Sequence, residues 1–330
     1  MPSKPFVFVT RRFADSGIIA LQKAGYRVEV YEKDEIIPRA ELLKRIKGCH
    51  ALLPLLTDRI DAEVFEAAGT QLKIVANYAV GFDNIDLTEA KKRGIVISNA
   101  PSDAVNESVA EHAFSLMLAL AHRIPEADQF ARAGKYQGWS PTHFIGTDVR
   151  GKVLGLVGAG RIGSMVAKKA VDGFGMTLVY ADAHENLTLE RDYKAQQVPL
   201  EKLLQISDFV SLHVPLLPTT RHLISTDEFS LMKKTAFLVN TARGPVVDEK
   251  ALLRALKTKR IAGAALDVFE CEPAIDCDLT DNLELRGFSN VILTPHIASA
   301  TIEAREAMSM VAAQNILAVL EGKPALNPAK

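Results

Sequence analysis

The sequence predicts an α/β protein made of two doubly wound parallel-sheet domains. Three observations predict it: short β-branched runs alternate with helical patterns along the chain, a glycine loop joins one strand to the next helix, and 330 residues exceed the roughly 100 to 200 of one domain. In chain order, Pro5 to Thr10 reads as a strand, Ser16 to Ala24 as a helix and Arg27 to Tyr31 as a second strand. The rhythm continues through strands at Ala51 to Pro54, Leu72 to Ala76 and Ile95 to Ser98, which completes a first sheet within about 100 residues. At Asn99-Ala100-Pro101 the proline favours an extended break, after which Val109, Ala113, Leu116, Met117 and Leu120 recur at helical spacing. A loop rich in glycine and aromatic residues follows, Gly134 to Gly146, with the chain's single tryptophan at Trp139. The second series places strands at Val153 to Val157, Thr177 to Ala181, Phe209 to Val214, Ala236 to Asn240, Ala262 to Val268 and Val291 to Thr294. Six strands suit a complete dinucleotide fold. Thr301 to Leu320 reads as a closing helix.

Composition narrows the function. Hydrophobic residues make up 48% and charged residues 24%, the balance of a globular protein. Lys and Arg total 39 against 40 Asp and Glu, so there is no basic field to gather nucleic acid or anionic lipid. Cys49, Cys271 and Cys277 form no CxxC pair, which gives neither a disulfide framework nor zinc-ligand spacing, and no metal is expected. The most apolar helical stretch, Ala113 to Ala121, falls short of the roughly 20 residues that span a bilayer, and the N-terminus has no signal-peptide core. A cytoplasmic protein without membrane or nucleic-acid partners is expected.

Gly158-Ala159-Gly160-Arg161-Ile162-Gly163 follows the strand Val153 to Val157, and Asp182 lies 19 positions beyond the last glycine, at the end of the next strand. In such a loop the first glycine allows the tight turn, the second lets backbone approach a pyrophosphate, and the third lets helix pack on strand, while helix N-terminal amides face the anion. A tight structural turn is the plainer alternative, and the strand, helix and acidic residue together favour the nucleotide site. Asp182 alone could be a solvated strand end; beside this loop it reads as the acceptor for the adenosine ribose hydroxyls, which points to NAD.

Three more segments end predicted strands, where open α/β sheets bind ligands. They are Asn240-Thr241-Ala242-Arg243-Gly244, Asp267-Val268-Phe269-Glu270-Cys271-Glu272-Pro273, and Thr294-Pro295-His296-Ile297-Ala298. Singly, an arginine before glycine is usually a surface cation and a lone histidine is usually a satisfied polar residue; their joint occurrence is what carries chemistry.

With Gly151-Lys152, His213-Val214-Pro215-Leu216 and Pro295-His296 added to these runs, the chain resembles the D-isomer-specific 2-hydroxyacid dehydrogenases over essentially its whole length. Asn77-Tyr78-Ala79-Val80-Gly81-Phe82-Asp83-Asn84-Ile85-Asp86 looks most like the glyoxylate/hydroxypyruvate reductase branch. The resemblance implies a flavodoxin-like substrate domain, residues 1–99 with 298–330, around a Rossmann NAD domain, residues 100–297, with the active site in the cleft between them and hinges near Asn99 and Ser299. It implies His296 as general acid/base, Glu272 as its orienter and Arg243 as the clamp on a small 2-keto acid, with backbone amides of Val80 and Gly81 completing the carboxylate cradle. On the cofactor side it implies Val109, Gly158, Gly160, Arg161, Ile162, Gly163, Asp182, Val214, Pro215, Thr220, Thr241, Ala242, Asp267 and His296. The chemistry suits these types. Hydride transfer to a carbonyl leaves charge on oxygen that a protonated imidazole must meet, and a forked guanidinium can hold the acid's carboxylate. Relatives pair through the Val109 to Leu120 helix and Trp139 region, so a homodimer is expected.

The match departs from the family in places. Ala298 stands where glycine is frequent, and Asn106-Glu107-Ser108-Val109 replaces the Thr-Glu-Ala-Thr of many glyoxylate reductases. Glu272 is where formate dehydrogenases have glutamine, and no lysine occurs in Asn77 to Gly81 as in phosphite dehydrogenases, which argues against both reactions. Corepressors that sense NAD on the same scaffold are the rival of a different class, with D-3-phosphoglycerate and D-lactate dehydrogenases as alternatives within the enzyme class.

Overall fold

A computed structural model describes residues 4–272 and 283–329, so Pro273 and Cys277 of the sequence reading lie outside the described residues. The chain forms two compact units, residues 4–105 with 300–329, and residues 106–272 with 283–299.

The first unit carries a five-stranded sheet of β1 (Phe6–Val9), β2 (Arg27–Val30), β3 (Ala51–Leu53), β4 (Ile74–Ala76) and β5 (Val96–Ser98). Its order is β2-β1-β3-β4-β5 and every pairing is parallel. β1, β3 and β4 are buried along their length, as their unbroken apolar runs require of a sheet covered on both faces. The closing helix Ile302–Leu320, capped by Thr301, belongs to this unit. It packs on the helix Asp15–Lys23 so closely that a Cβ on Gly17 would meet the Ser309 carbonyl oxygen at 2.2 Å. The Ser309 hydroxyl accepts from the Gly17 amide at 2.9 Å and donates to the Ala14 carbonyl at 2.6 Å. A chain segment from the far end of the sequence is thus bonded to the first helix.

The second unit holds seven strands: β6 (Val153–Val157), β7 (Thr177–Ala181), β8 (Gln196–Gln197), β9 (Phe209–Leu212), β10 (Phe237–Asn240), β11 (Gly263–Leu266) and β12 (Val291–Leu293). All pair in parallel in the order β12-β11-β10-β9-β6-β7-β8. The strand order therefore reverses between β6 and β9, the switch point at which such sheets open a crevice beyond their carboxyl ends. β8 is one strand more than the sequence reading gave; two glutamines at a sheet edge carry no apolar signal. The helix Asp103–Ala121 begins just after Pro101, with the Ser102 hydroxyl accepting from the Val105 amide at 3.2 Å. The glycine-loop helix runs Arg161–Lys168 and continues as a wide π turn through Gly173. Among the described residues no helix is long and apolar enough to cross a membrane, and no group of three or more His, Cys, Asp or Glu side chains is placed to hold a metal ion. Cys49 and Cys271 are unpaired, and burial pushes the Cys49 thiol up to about 12, which keeps it inert.

Candidate active site

In the second unit the predicted residues gather at the carboxyl ends of the strands. Asp267 ends β11 and is fully buried. One of its carboxylate oxygens accepts from the Thr294 hydroxyl at 2.6 Å and the Ile297 amide at 2.9 Å; the other accepts from the Ala298 amide at 2.8 Å. His112 Nε2 lies 3.4 Å from the same carboxylate and 3.2 Å from the Thr294 hydroxyl, which accepts from it because its own hydrogen goes to Asp267. Burial pushes this carboxyl up, but the bonds from His112, Thr294, Ile297 and Ala298 outweigh it and hold Asp267 below the usual carboxylate range. It is therefore ionised, and its charge fixes the loop that follows β12.

That loop carries His296. The residue has φ of 52°, a left-handed conformation that costs a non-glycine residue of order 1 kcal/mol, and its amide donates to the Asp267 carbonyl at 2.8 Å. His296 Nδ1 donates to Glu272 Oε2 at 2.5 Å. The carboxylate thereby fixes the ring's orientation and tautomer, leaving Nε2 as the position for proton exchange. The segment before Glu272 is braced too. The Glu270 amide donates to the Glu249 carboxylate at 2.6 Å, and the Glu270 carboxylate meets His222 Nε2 at 2.6 Å.

Arg243 follows β10 on a turn built by Asn240, whose side-chain amide donates to the Arg243 carbonyl at 2.9 Å while its oxygen accepts from the Ala242 amide at 3.0 Å. Gly244 is required here by close approach: a Cβ would meet the Phe269 carbonyl oxygen at 1.8 Å. Backbone contact thus couples the arginine turn to the stretch leading to Glu272. Beside Arg243, the Thr241 hydroxyl is buried without a hydrogen-bond partner among the described residues.

At the switch point the three glycines act differently. Gly158 has φ of 98° and its Cβ would meet the His213 carbonyl at 2.7 Å, and a Cβ on Gly163 would meet the Gly158 oxygen at 2.2 Å. A Cβ on Gly160, by contrast, would project into open space at the N-cap of the helix Arg161–Lys168. The amides of Arg161, Ile162 and Gly163 have no acceptor among the described residues, as at any helix start lacking a side-chain cap. Open space in front of unpaired amides fits a dinucleotide pyrophosphate, and the partnerless Thr241 hydroxyl fits a polar group of a bound ligand. Asp182 accepts from the Ala159 amide at 2.7 Å and the His184 amide at 3.0 Å, one bond on each oxygen, which leaves a lone pair on each. Val214, Pro215 and Thr220 follow β9; the Thr220 hydroxyl donates to the Pro215 carbonyl at 2.6 Å and accepts from the Leu217 amide at 2.8 Å, so it shapes this turn. Val109 is buried on the helix Asp103–Ala121.

The loop Val80-Gly81 belongs to the first unit, where it follows β4. The Val80 carbonyl accepts from Asn99 Nδ2 at 2.6 Å and the Gly81 carbonyl from Asn77 Nδ2 at 2.9 Å. Neither the Val80 nor the Gly81 amide donates a hydrogen bond among the described residues.

Sequence reasoning missed His112 and Ser108. They stand one turn apart on a largely apolar helix, and the Ser108 hydroxyl donates to the Ala298 carbonyl at 2.8 Å. The readable signal was that polar pair at i, i+4 on a buried face. Asp267 was read as a cofactor contact; its carboxylate is occupied first in ordering the His296 loop.

Known proteins resemble this chain over nearly its whole length. Residues 114–298 match the family model of the D-isomer specific 2-hydroxyacid dehydrogenase NAD binding domain. A glyoxylate reductase of Korarchaeum cryptofilum is 48% identical over 322 residues, 97% of this chain and 94% of its own length. A crystal structure of a Thermus thermophilus protein superposes with a TM-score of 0.90 at 41% identity, covering 98% of this chain and 100% of that one. An NADPH-dependent glyoxylate/hydroxypyruvate reductase of Sinorhizobium meliloti, solved with NADP and malonate, gives a TM-score of 0.83 at 30% identity, covering 99% of this chain and 97% of that one.

His213 yields a pH prediction. Burial pushes its imidazole down to about 4, so the folded protein keeps it neutral while the unfolded chain protonates it near 6.5. Between those values the unfolded state binds more protons, and stability falls as pH drops from 6.5 toward 4. His213→Asn should remove this slope: from pH 7 to 4.5 the wild type should lose roughly 2–3 kcal/mol more than the variant. Urea unfolding of both proteins at the two pH values checks it; equal losses would mean that the ring is not held neutral.

Proposed function

Because the chain belongs to the D-isomer-specific 2-hydroxyacid dehydrogenases, and is thus a nicotinamide-dependent oxidoreductase, we propose that it reduces glyoxylate, hydroxypyruvate or a similarly small 2-keto acid to the D-2-hydroxy acid. The observation that carries this reading is the pair His296 Nδ1 and Glu272 Oε2, 2.5 Å apart, on a loop that a buried carboxylate holds in place. The cofactor supplies the hydride. Helix amides at Gly160 to Gly163 would hold its pyrophosphate, Asp182 its adenosine ribose, and the Thr241 to Arg243 turn and Asp267 loop its nicotinamide end. His296 gives its Nε2 proton to the carbonyl oxygen as that oxygen gains charge, and Glu272 keeps the ring aimed through the transfer. Arg243 is the residue proposed to bind the acid's carboxylate, and the amides of Val80 and Gly81 are proposed as carboxylate donors. On this reading residues 4–105 with 300–329 carry the substrate loop and the other unit carries the cofactor. The nucleotide-sensing alternative rests on the shared scaffold, whereas the small-acid reductase reading has a relative of that activity at 48% identity over 97% of the chain.

A homodimer is part of the proposal. Trp139 and Tyr136, 84% and 65% exposed, stand on the loop after the helix Ile124–Arg132, and Ile145 of the same loop borders a recess of about 500 Å³ with Pro125, Phe209 and Phe237. So much exposed apolar surface on one loop marks an interaction site, and a second copy is the occupant proposed. Sedimentation equilibrium should give twice 36.0 kDa for the wild type and a shift toward monomer for Trp139→Glu; a wild-type monomer at micromolar concentration would refute it.

Turnover tests the main reading. Glyoxylate or hydroxypyruvate with NADH should be reduced at roughly 1 per second or faster. His296→Ala should lower kcat by about 100- to 10,000-fold while the NADH dissociation constant changes little. Loss of NADH binding with turnover preserved would remove His296 from proton transfer.

NADH should be favoured over NADPH, since a 2′-phosphate would meet the Asp182 carboxylate as like charge. Asp182→Ala should narrow the ratio of kcat/KM for the two cofactors. A wild type that prefers NADPH, the cofactor on which the Sinorhizobium reductase depends, or a ratio unmoved by the substitution, would reject this assignment.

A further inference from the structure

Within the first unit, the Ala100 backbone amide and the side chains of Asn99 and Asn77 hold the carbonyls of Ala79, Val80 and Gly81 in turn. The Ala79 carbonyl accepts from the Ala100 amide at 2.8 Å, and the Val80 carbonyl accepts from Asn99 Nδ2 at 2.6 Å. A trans peptide points its C=O and N–H in opposite directions. Holding the Ala79 carbonyl therefore sets the direction of the Val80 N–H, and holding the Val80 carbonyl sets that of the Gly81 N–H. Both N–H groups point away from the segment Asn99-Ala100, and neither has an acceptor among the described residues.

Asn99 is in turn anchored. Its own amide donates to the Asn327 carbonyl at 3.2 Å, in the tail after the closing helix. Asn327 and Asn315 exchange two bonds, Asn327 N–H to Asn315 Oδ1 at 2.8 Å and Asn315 Nδ2 to Asn327 Oδ1 at 3.1 Å, and Asn315 is fully buried. On the other flank, Asn77 Nδ2 holds the Gly81 carbonyl at 2.9 Å and Asn84 Oδ1 at 3.0 Å. Amide side chains suit this work: each offers donors to a carbonyl without adding charge beside an anionic substrate.

We infer that Asn99 is a positioning residue for substrate binding: by holding the far side of the Val80–Gly81 peptide it aims the Gly81 N–H at the keto acid's carboxylate, and the tail residue Asn327 holds Asn99 in register. This rests on the reading of Val80 and Gly81 as carboxylate donors. Asn99 acts through another residue's amide, so its loss should appear in substrate affinity rather than in cofactor binding.

The experiment compares wild type, Asn99→Ala, and Asn99→Asp, which keeps the shape but lacks the N–H donor. Steady-state kinetics, with glyoxylate varied at saturating NADH and NADH varied at saturating glyoxylate, are paired with amide hydrogen exchange at Gly81. A charge-assisted bond misaimed should raise the glyoxylate KM roughly tenfold in both variants. The NADH KM should stay within about twofold, and kcat should change less than the glyoxylate KM. Gly81 exchange should quicken, and Asn327→Ala should move both readouts in the same direction by a smaller factor. Unchanged exchange and unchanged glyoxylate KM in both Asn99 variants would overturn the positioning role and leave the donor reading of Val80 and Gly81 standing. Faster exchange with an unchanged glyoxylate KM would overturn that donor reading and the inference with it. An equal rise in the KM of NADH and glyoxylate would show a general structural effect and also overturn it.

Discussion

The buried carboxylate of Asp267 is the constraint on which the active-site geometry depends. An ion taken out of water costs several kcal/mol unless donors replace the lost hydration, and Asp267 gathers a hydroxyl, two backbone amides and an imidazole. Those donors come from the β12 loop and from the helix Asp103–Ala121, so satisfying one anion fixes both elements relative to β11. His296 sits inside the fixed loop. Its left-handed backbone would relax if the loop were free, and two of the bonds on Asp267 come from the residues immediately after it. The orientation of the His296 ring thus depends on the charge of Asp267, a residue far earlier in the sequence, and the Glu272 carboxylate needs only to finish the alignment.

At the switch point the opposite solution is used. Asp267 is held charged by donors, whereas His213 is held neutral by burial, close beside Gly158 and Gly163. A protonated ring there would add a positive charge near the place where phosphates are expected. Its neutrality leaves anion binding to the side chain of Arg161 and to the amides at the start of its helix, whose dipoles do not titrate. The closeness of Gly158 to the His213 backbone also explains why the two stretches stand together as a motif: neither position tolerates a shift of the other.

What was legible in the sequence follows a physical division. Strands buried on both faces announce themselves as unbroken apolar runs, so their ends, and the functional segments attached to those ends, could be placed from residue types alone. β8 could not, because two exposed glutamines pair at an edge only once β7 is present. His112 and Ser108 were hidden for another reason: their helix reads as core, and their meaning arises only when the loop from β12 is brought against them. Asn99 was read as a boundary on account of Pro101, a reading that says nothing of the carbonyl its side chain reaches. Side chains that act through someone else's backbone leave no local pattern.

That last class matters for how such a site can vary. The donors proposed to meet the ligands are mostly backbone amides, at Gly160 to Gly163 and at Val80 and Gly81, and backbone offers the same N–H whatever residue stands there. Their strength as donors is set by direction, and direction is set by what holds the other side of each peptide. For the glycine loop that hold is steric, because Gly158 and Gly163 leave only one way to pack. For Val80-Gly81 it is a set of hydrogen bonds from Asn99, Ala100 and Asn77. Sterically held amides resist change at the contact itself, whereas amides held by hydrogen bonds can be re-aimed by substitutions behind them. The Val80-Gly81 loop, proposed to hold the substrate, can therefore shift in selectivity without any change to the residues proposed for proton transfer or for the cofactor.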